Sequence, residues 1–327
     1  MLQLFRSNHI IAGILGFAFI FIWHSSVYFN IPEWEPSRGG ILMQVVDAQI
    51  GYHGTGARIT VFILLAIQFF LANHIINSFR LADAATVFPG VFLILFSCYL
   101  PQFLFLSSFH FVNTISILIF YLLFGTYNQP KSADHLFNAG LLAGISYLFF
   151  PPSLFLIAII FIALSILRPY QIKERIMVLI GFVIPLCWAG LYYFWQDQWP
   201  IFYQKQFTHL FGIPRLGTQA LEYVYILLYL IFISILLFLI FSYDKIAYRR
   251  AIQSRKRINI MYWSSGIIFA FIFFIPGQGN ALYLLLSMPL GLLTALGFIG
   301  MNPKLAEIFH FILILGLLVS HYLGLFL

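Results

Sequence analysis

Residues 8–29 read NHIIAGILGFAFIFIWHSSVYF, and residues 31–56 continue IPEWEPSRGG, ILMQVVDAQI, GYHGTG. The first stretch has no Asp, Glu, Lys or Arg and is long enough for one bilayer crossing, which takes about 20 apolar residues. It follows Arg6, runs too long for a signal peptide and lacks a small-residue cleavage site, so it reads as an uncleaved first membrane helix. The second stretch carries Glu33, Glu35 and Asp47, three of the ten carboxylates. Within it, residues 41–50 predict a short helix with Ile41, Leu42, Val45 and Val46 on one side and Gln44 and Asp47 on the other. Such a helix lies in the membrane interface, and the glycines at 39, 40, 51, 54 and 56 let the chain enter and leave it sharply.

Further along, the pattern of the first stretch recurs. Eleven apolar segments span roughly 8–30, 58–79, 84–105, 108–127, 135–150, 151–167, 176–195, 222–242, 260–276, 281–299 and 305–327. They take up about 220 residues at about 20 each and leave no room for a soluble domain. The 327 residues are 62% hydrophobic and 8% charged, against about 25% charged in soluble proteins, and the mean hydropathy is +0.96. A water-soluble fold is excluded, and nucleic-acid binding with it. The weakest boundaries fall at Pro101 and at Pro151-Pro152, and residues 135–167 fit either two crossings or a re-entrant hairpin. The reading is an all-α polytopic membrane helix bundle of about eleven transmembrane helices, one integral domain over residues 1–327.

The net charge of +7 has a direction. With the N-terminus in the cytoplasm, the cytoplasmic set is Arg6, Arg80, Lys131, Arg168, Lys173, Arg175, Lys245, Arg249, Arg250, Arg255, Lys256, Arg257 and Lys304, thirteen of the 17 basic residues. Only Arg38, Arg58, Lys205 and Arg215 fall outside. Lys and Arg set orientation, so the expectation is N-inside and C-outside. Six of the basic residues crowd into 245–257 and either pin the topology or hold anionic headgroups or a partner.

The second long outer loop, 196–221, is aromatic: Trp199, Phe202, Tyr203, Phe207 and Phe211 follow Trp195, with Lys205, His209 and Arg215 between them. That pairing suits a lipid phosphate, with cations on the phosphate and rings on its tail. It equally suits an ordinary aromatic belt. Glu33 and Glu35, one residue apart between Pro32 and Pro36, fit a general base or a divalent-metal ligand pair, and equally fit solvated loop charges. At membrane depth, Asn73, His74 and Asn77 form one polar group, and His24, His110 and Asn113 another. Both are open to functional and to helix-bonding readings.

Several chemistries lack their residues. The nine histidines form no HxxHH or HxxxH cluster, and there is no GxSxG, HExxH or phosphate-binding glycine loop. No carboxylate lies at mid-membrane depth, as a proton pump would need. Cys98 and Cys187 sit in apolar runs and suit neither a disulfide framework nor a zinc site.

The layout resembles the GT-C superfold of membrane glycosyltransferases that use polyprenyl-phosphate-linked sugars. A cytoplasmic N-terminus and one helix lead to an outer loop with an acidic motif, here Glu33-Trp34-Glu35, and an interfacial helix, here 41–50. A later outer loop follows the seventh segment, here 196–221, and residues 137–151, FNAGLLAGISYLFFP, resemble the group's glycine-marked helix. The similarity covers residues 1–240, with 241–327 as additional C-terminal helices. Both acidic positions are glutamate where the group usually has at least one aspartate. The resemblance implies a bacterial inner-membrane protein that transfers a sugar from a polyprenyl-phosphate donor at the outer face. Glu33, Glu35 and Asp47 would be the catalytic carboxylates, and Arg58, His53, Lys205, His209, Arg215 and Trp199 the substrate-binding set. A divalent metal is the one cofactor it would admit. A non-catalytic subunit bound to a membrane partner and a transporter are the alternatives.

Overall fold

The computed structural model describes residues 10–29, 39–52, 54–129, 132–208, 223–248, 250–272, 274–275 and 279–323. Helices stand at every one of the eleven apolar segments. They are α1 (Ile10–Phe29), α3 (Thr55–Ser78), α4 (Phe88–Ser97), α5 (Ser108–Gly125), α6 (Ala133–Phe149), α7 (Phe155–Leu167), α8 (Ile172–Trp195), α10 (Tyr223–Phe241), α11 (Ile252–Ile272), α12 (Ser287–Ile299) and α13 (Pro303–Leu323). Two shorter helices, α2 (Ile41–Ile50) and α9 (Trp199–Phe207), occupy the two loops expected outside. Among the described residues four helical stretches are long and apolar enough to cross a membrane by length and composition: Thr55–Ser78, Ser108–Gly125, Ile172–Trp195 and Ala281–Ile299.

The prolines break the chain where expected. Ten-residue α4 is followed by a 3₁₀ turn at Pro101–Leu104, and α6 passes into α7 through a 3₁₀ turn at Pro151–Leu154. At 1.5 Å per residue α4 alone reaches about 15 Å, half the hydrocarbon thickness. It is buried on all sides, packed between α3 and α12. Two helices start a turn or more before their apolar segments do. α8 takes in Lys173, Glu174 and Arg175, and α11 takes in Arg255, Lys256 and Arg257, because charged residues continue a helix readily once its apolar face is anchored.

The closest helix pair is α6 with α8, and small residues permit it. A Cβ on Gly140 would stand 2.1 Å from the Val178 carbonyl oxygen, one on Gly144 2.4 Å from that of Phe182, and one on Gly181 2.3 Å from that of Phe137. Lipid tails provide no hydrophobic drive between helices, so backbone contact of this kind supplies the attraction. The glycine marking of residues 137–151 therefore has a packing cause.

A polar seam ties α3, α4, α5 and α12 together. Gln68 Nε2 donates to Thr114 Oγ1 (2.8 Å) and to the His110 carbonyl (3.1 Å). Asn113 Nδ2 donates to Gln68 Oε1 (3.2 Å) and Ser287 Oγ (2.9 Å), and Ser97 Oγ donates to Ser287 Oγ (3.2 Å). The other polar group has a similar role. Asn73 Oδ1 accepts the Gly90 amide (2.7 Å), and Asn77 exchanges two 3.1 Å bonds with the Thr86 backbone. Both asparagines fix the entry of α4, which answers the open question about them in favour of helix bonding.

At the end of the bundle where α3 finishes and α11 begins, arginines meet helix-end carbonyls. Arg257, 8% exposed, donates to the carbonyls of Phe79 (3.4 Å) and Phe124 (3.0 Å) and stacks over the Phe79 ring. Arg250 bonds the Leu81 carbonyl and lies 3.7 Å from Asp83. Arg168 donates to the carbonyls of Thr126 (3.1 Å) and Gln129 (2.9 Å) and pairs with Glu174 at 2.9 Å. The last carbonyls of a helix lack intrahelical partners and carry partial negative charge, so guanidinium groups satisfy both needs. The basic run of 245–257 thus has a structural use beyond topology.

Candidate functional site

The opposite end carries α2, α9 and the C-terminus of α6. Gly40 donates its amide to the Phe149 carbonyl at 2.7 Å, and a Cβ there would stand 2.2 Å from the Leu148 carbonyl, so no other residue lets α2 start this close. Gln206 of α9, fully buried, donates Nε2 to the same Leu148 carbonyl (3.3 Å), and Tyr147 Oη donates to the Gln206 carbonyl (2.7 Å). Ile41, Leu148 and Phe202 close a small apolar cluster between them. The two expected outer loops, some 150 residues apart in sequence, therefore meet over one helix end.

The apolar face of α2 differs from expectation. Ile41 and Met43 are buried, Leu42, Val46 and Ile50 are partly buried, and Val45 is 47% exposed. The helix is wedged rather than laid flat. Ile41 and Leu42 face the α9 cluster while Met43, Val46 and Ile50 face the main core, so the buried arc is wider than one stripe.

Asp47 lies on the second turn of α2. Gly51, at φ +77°, turns the chain back after the helix. Tyr52 then returns its hydroxyl to the Asp47 carboxylate. Burial raises the Asp47 pKa above 3.8, and the Tyr52 bond pulls it partly back. Tyr52 is itself pushed up to about 12, by burial first and then by its bond to, and the charge of, Asp47. Among the described residues, Asp47 Oδ1 is buried without a hydrogen-bond partner. The carboxylate is thus fixed by one neighbour and keeps an oxygen for a donor from elsewhere.

The remaining expected site residues divide. Arg58, one turn into α3, lies close enough to His24 of α1 to act on it electrostatically, and the His24 ring contacts Phe62 on the next turn of α3. Trp199 packs its ring at a tilt against Phe202 and helps line an open apolar groove of about 640 Å³ between α8 and α9. Lys205 is exposed on α9 and is not among the residues lining that groove. Glu33, Glu35, His53, His209 and Arg215 lie outside the described residues. Tyr52, Tyr147 and Gln206 escaped the sequence reading. The turn D-A-Q-I-G-Y over 47–52 was the available signal for Tyr52, whereas nothing local marks Tyr147 or Gln206, whose partners are distant. Among the described residues no three His, Cys, Asp or Glu side chains gather as metal ligands.

No protein-family model matches the chain, and no curated protein does. Two solved structures match it in shape. Both are of ArnT from Cupriavidus metallidurans, one bound to undecaprenyl phosphate and one in the apo state. The TM-score is 0.52 for each, at 14% and 13% identity, over 88% of this chain. The fold is GT-C-like. The chain spans 56% of the length of those ArnT structures, so a little under half of each has no counterpart in the match. The GT-C likeness rests on a shared path of the backbone, since few residues are identical. It shows the fold alone; the long apolar helices are what make this a membrane protein.

Proposed function

We propose that this protein is a bacterial inner-membrane glycosyltransferase that takes a sugar from a polyprenyl-phosphate donor at the outer face. About eleven crossings would run from a cytoplasmic N-terminus to an outer C-terminus, which puts the α2 and α9 end outside. The observation that carries the reading is Asp47, a half-buried carboxylate with one oxygen unpaired among the described residues, where the two long loops converge. A base needs a pKa moved toward working pH, and burial moves that of Asp47 in the right direction. The ArnT likeness in fold supports the same reading, as does the undecaprenyl phosphate bound to that protein.

In this reaction a carboxylate oxygen of Asp47, Glu33 or Glu35 takes the proton of an acceptor hydroxyl. The hydroxyl oxygen bonds to the anomeric carbon of the donor sugar as the carbon–oxygen bond to the lipid phosphate breaks. The bonding pair leaves with the phosphate, whose growing charge Arg58, Lys205 or Arg215 would stabilise. His53, His209 and Trp199 would contact acceptor or donor. A divalent metal, if bound, would be held by the carboxylates of this loop and would screen the phosphate. Every step here uses the chain's own groups.

The test is transfer of radiolabelled sugar from a polyprenyl-phosphate donor by the purified chain in lipid nanodiscs. Release of polyprenyl phosphate is followed in the unaltered protein, in Asp47→Asn and in the double variant Glu33→Gln, Glu35→Gln. Loss of transfer in either variant supports the reading and shows which carboxylate acts. Unchanged transfer in both overturns the assignment of the base. Absence of transfer in the unaltered protein would leave the non-catalytic subunit as the better reading.

A further inference from the structure

Arg168, Arg250 and Arg257 turn their guanidinium groups to helix-end carbonyls. Arg175, at the same end of the bundle, is held differently. It stands in the first turn of α8, with its guanidinium carbon 4.1 Å from the centroid of the Tyr170 ring and 5.8 Å from that of Phe161 on α7. Its Nη2 donates to Ser165 Oγ of α7 at 2.9 Å. Among the described residues no carboxylate pairs with it. Neighbouring Glu174 is held by Arg168, and Asp134, exposed at the start of parallel α6, makes no ion pair. Lys173, exposed two positions earlier, has no ion-pair partner among the described residues either. A guanidinium carries five N–H groups in one plane. A ring on its face and a hydroxyl at one corner fix that plane and leave the remaining groups for an outside acceptor.

This corner faces lipid. Ile176, Leu179, Ile180 and Val183 follow Arg175 at helical spacing and are all exposed, so an apolar stripe of α8 starts one residue past the guanidinium. Tyr170 is 66% exposed, an aromatic ring of the kind that settles at headgroup depth. We infer that the corner between α7 and α8 binds one anionic phospholipid, with its phosphate on Arg175 and Lys173 and its acyl chains along the stripe. The lack of an available carboxylate selects the headgroup. A zwitterionic lipid brings a cation of its own and would have to set it beside Arg175 and Lys173, with Glu174 already taken. A free phosphate ion would match the two cations but would leave the apolar stripe unused. The transfer reaction and its carboxylates do not enter this argument. In the orientation proposed above, the lipid belongs to the cytoplasmic leaflet, which is the other side of the membrane from the candidate base.

The test is competition for tritiated phosphatidylglycerol bound to the full-length protein in detergent. The competitors are unlabelled phosphatidylglycerol and phosphatidylcholine with the same acyl chains. One cation near a membrane surface favours an anionic headgroup about fivefold, so two predict that phosphatidylglycerol competes about 25-fold more strongly. Arg175→Gln should reduce that preference to about fivefold, and Lys173→Gln with Arg175→Gln should remove it. Lys304→Gln takes an exposed cation from the start of α13 and should leave the preference where it was. The melting temperature of each variant is measured alongside. If Arg175→Gln does not fold, Lys173→Gln, a change at an exposed position, serves in its place with the same expected fivefold loss, about one cation's share. Equal competition by the two lipids overturns the inference. An unchanged preference in the Arg175 and Lys173 variants does so too, as does an equal fall in Lys304→Gln, which would mean a diffuse effect of surface charge. Sodium phosphate is added last, against sodium chloride at the same ionic strength. Displacement of the lipid by phosphate alone would make this a site for the free ion and overturn the assignment to a phospholipid.

Discussion

At one end of the bundle Arg168, Arg250 and Arg257 donate to carbonyls at the ends of α3 and α5. At the other end the last carbonyls of α6 are met by neutral donors, the Gly40 amide and the Gln206 side chain. Charge-assisted bonds are roughly twice as strong as neutral ones, so the arginine end is the harder to open. Among the described residues the arginine end keeps one buried nitrogen without a hydrogen-bond partner, Arg257 Nε, whereas the neutral end keeps four such oxygens, Asp47 Oδ1, Ser146 Oγ, Ser153 Oγ and Gln206 Oε1. Buried polar atoms are nearly always bonded to something, so water or a ligand's hydroxyl groups belong there. The contrast teaches a division of labour. One end holds the helices in place, and the other is left incomplete for a second molecule.

Substitutions can break that division, and the largest effect is expected at Asp47. Asp47→Asn keeps the shape and the Tyr52 contact but removes the base. Transfer should fall about 10²- to 10⁴-fold, the usual contribution of a general base, with thermal stability in nanodiscs unchanged. At the other end the outcomes should reverse. Arg257→Gln withdraws the charged donor from two helix-end carbonyls, each such bond contributing about 1.5–3 kcal/mol. Its melting temperature should fall while transfer per folded molecule stays the same. If Arg257→Gln lowers transfer without lowering stability, or Asp47→Asn does the opposite, the two ends have been assigned the wrong roles.

A smaller effect is expected where the loops join. Gly40→Ala forces a methyl group against the Leu148 carbonyl, and overpacking of this kind costs about 1–3 kcal/mol. The loss should be local. Proteolysis within the 30–52 loop should quicken well below the global melting temperature, whereas a matched change at Gly13, which has open space around it, should leave cleavage unaltered.

The helix positions were readable from the sequence because membrane crossing demands long apolar stretches, and each of the eleven marked segments holds a helix. The breaks at Pro101 and Pro151 were readable for the same local reason. What the helices do at their ends was not. Arg257 looks like any member of a basic run until Phe79 and Phe124, more than a hundred positions away, present their carbonyls to it. Gln206 likewise reads as one polar residue in an aromatic loop, and only the fold brings the Leu148 carbonyl to it. Asp47 was readable as a candidate by type and loop, but its pairing with Tyr52 depends on the left-handed turn at Gly51. Expecting one apolar stripe on α2 failed because a sequence pattern assumes one flat partner, and α2 has two.

The finest test of the contrast is Tyr52→Phe. Two influences act on Asp47: burial raises its pKa from 3.8, and the Tyr52 hydroxyl, by donating to the carboxylate, lowers it. Removing the hydroxyl leaves burial unopposed, so the pKa rises further. A base works only when deprotonated, and the acid limb of kcat/KM should therefore move to higher pH in Tyr52→Phe, with the plateau at high pH unchanged. Tyr52, pushed up to about 12, keeps its proton through that range and remains a donor in the unaltered protein. The stability of the fold carries the same sign. With the folded pKa raised, the contribution of Asp47 is complete below 3.8 and is lost as pH rises through the folded value. In Tyr52→Phe that loss should still begin near 3.8 and run on to higher pH. A limb that stays in place means the hydroxyl does not govern the carboxylate, and a limb that moves down means the hydroxyl favours the protonated carboxyl. A uniform loss of rate at every pH would instead make Tyr52 a contact of the acceptor, and the incomplete end would then include the tyrosine as well as the carboxylate.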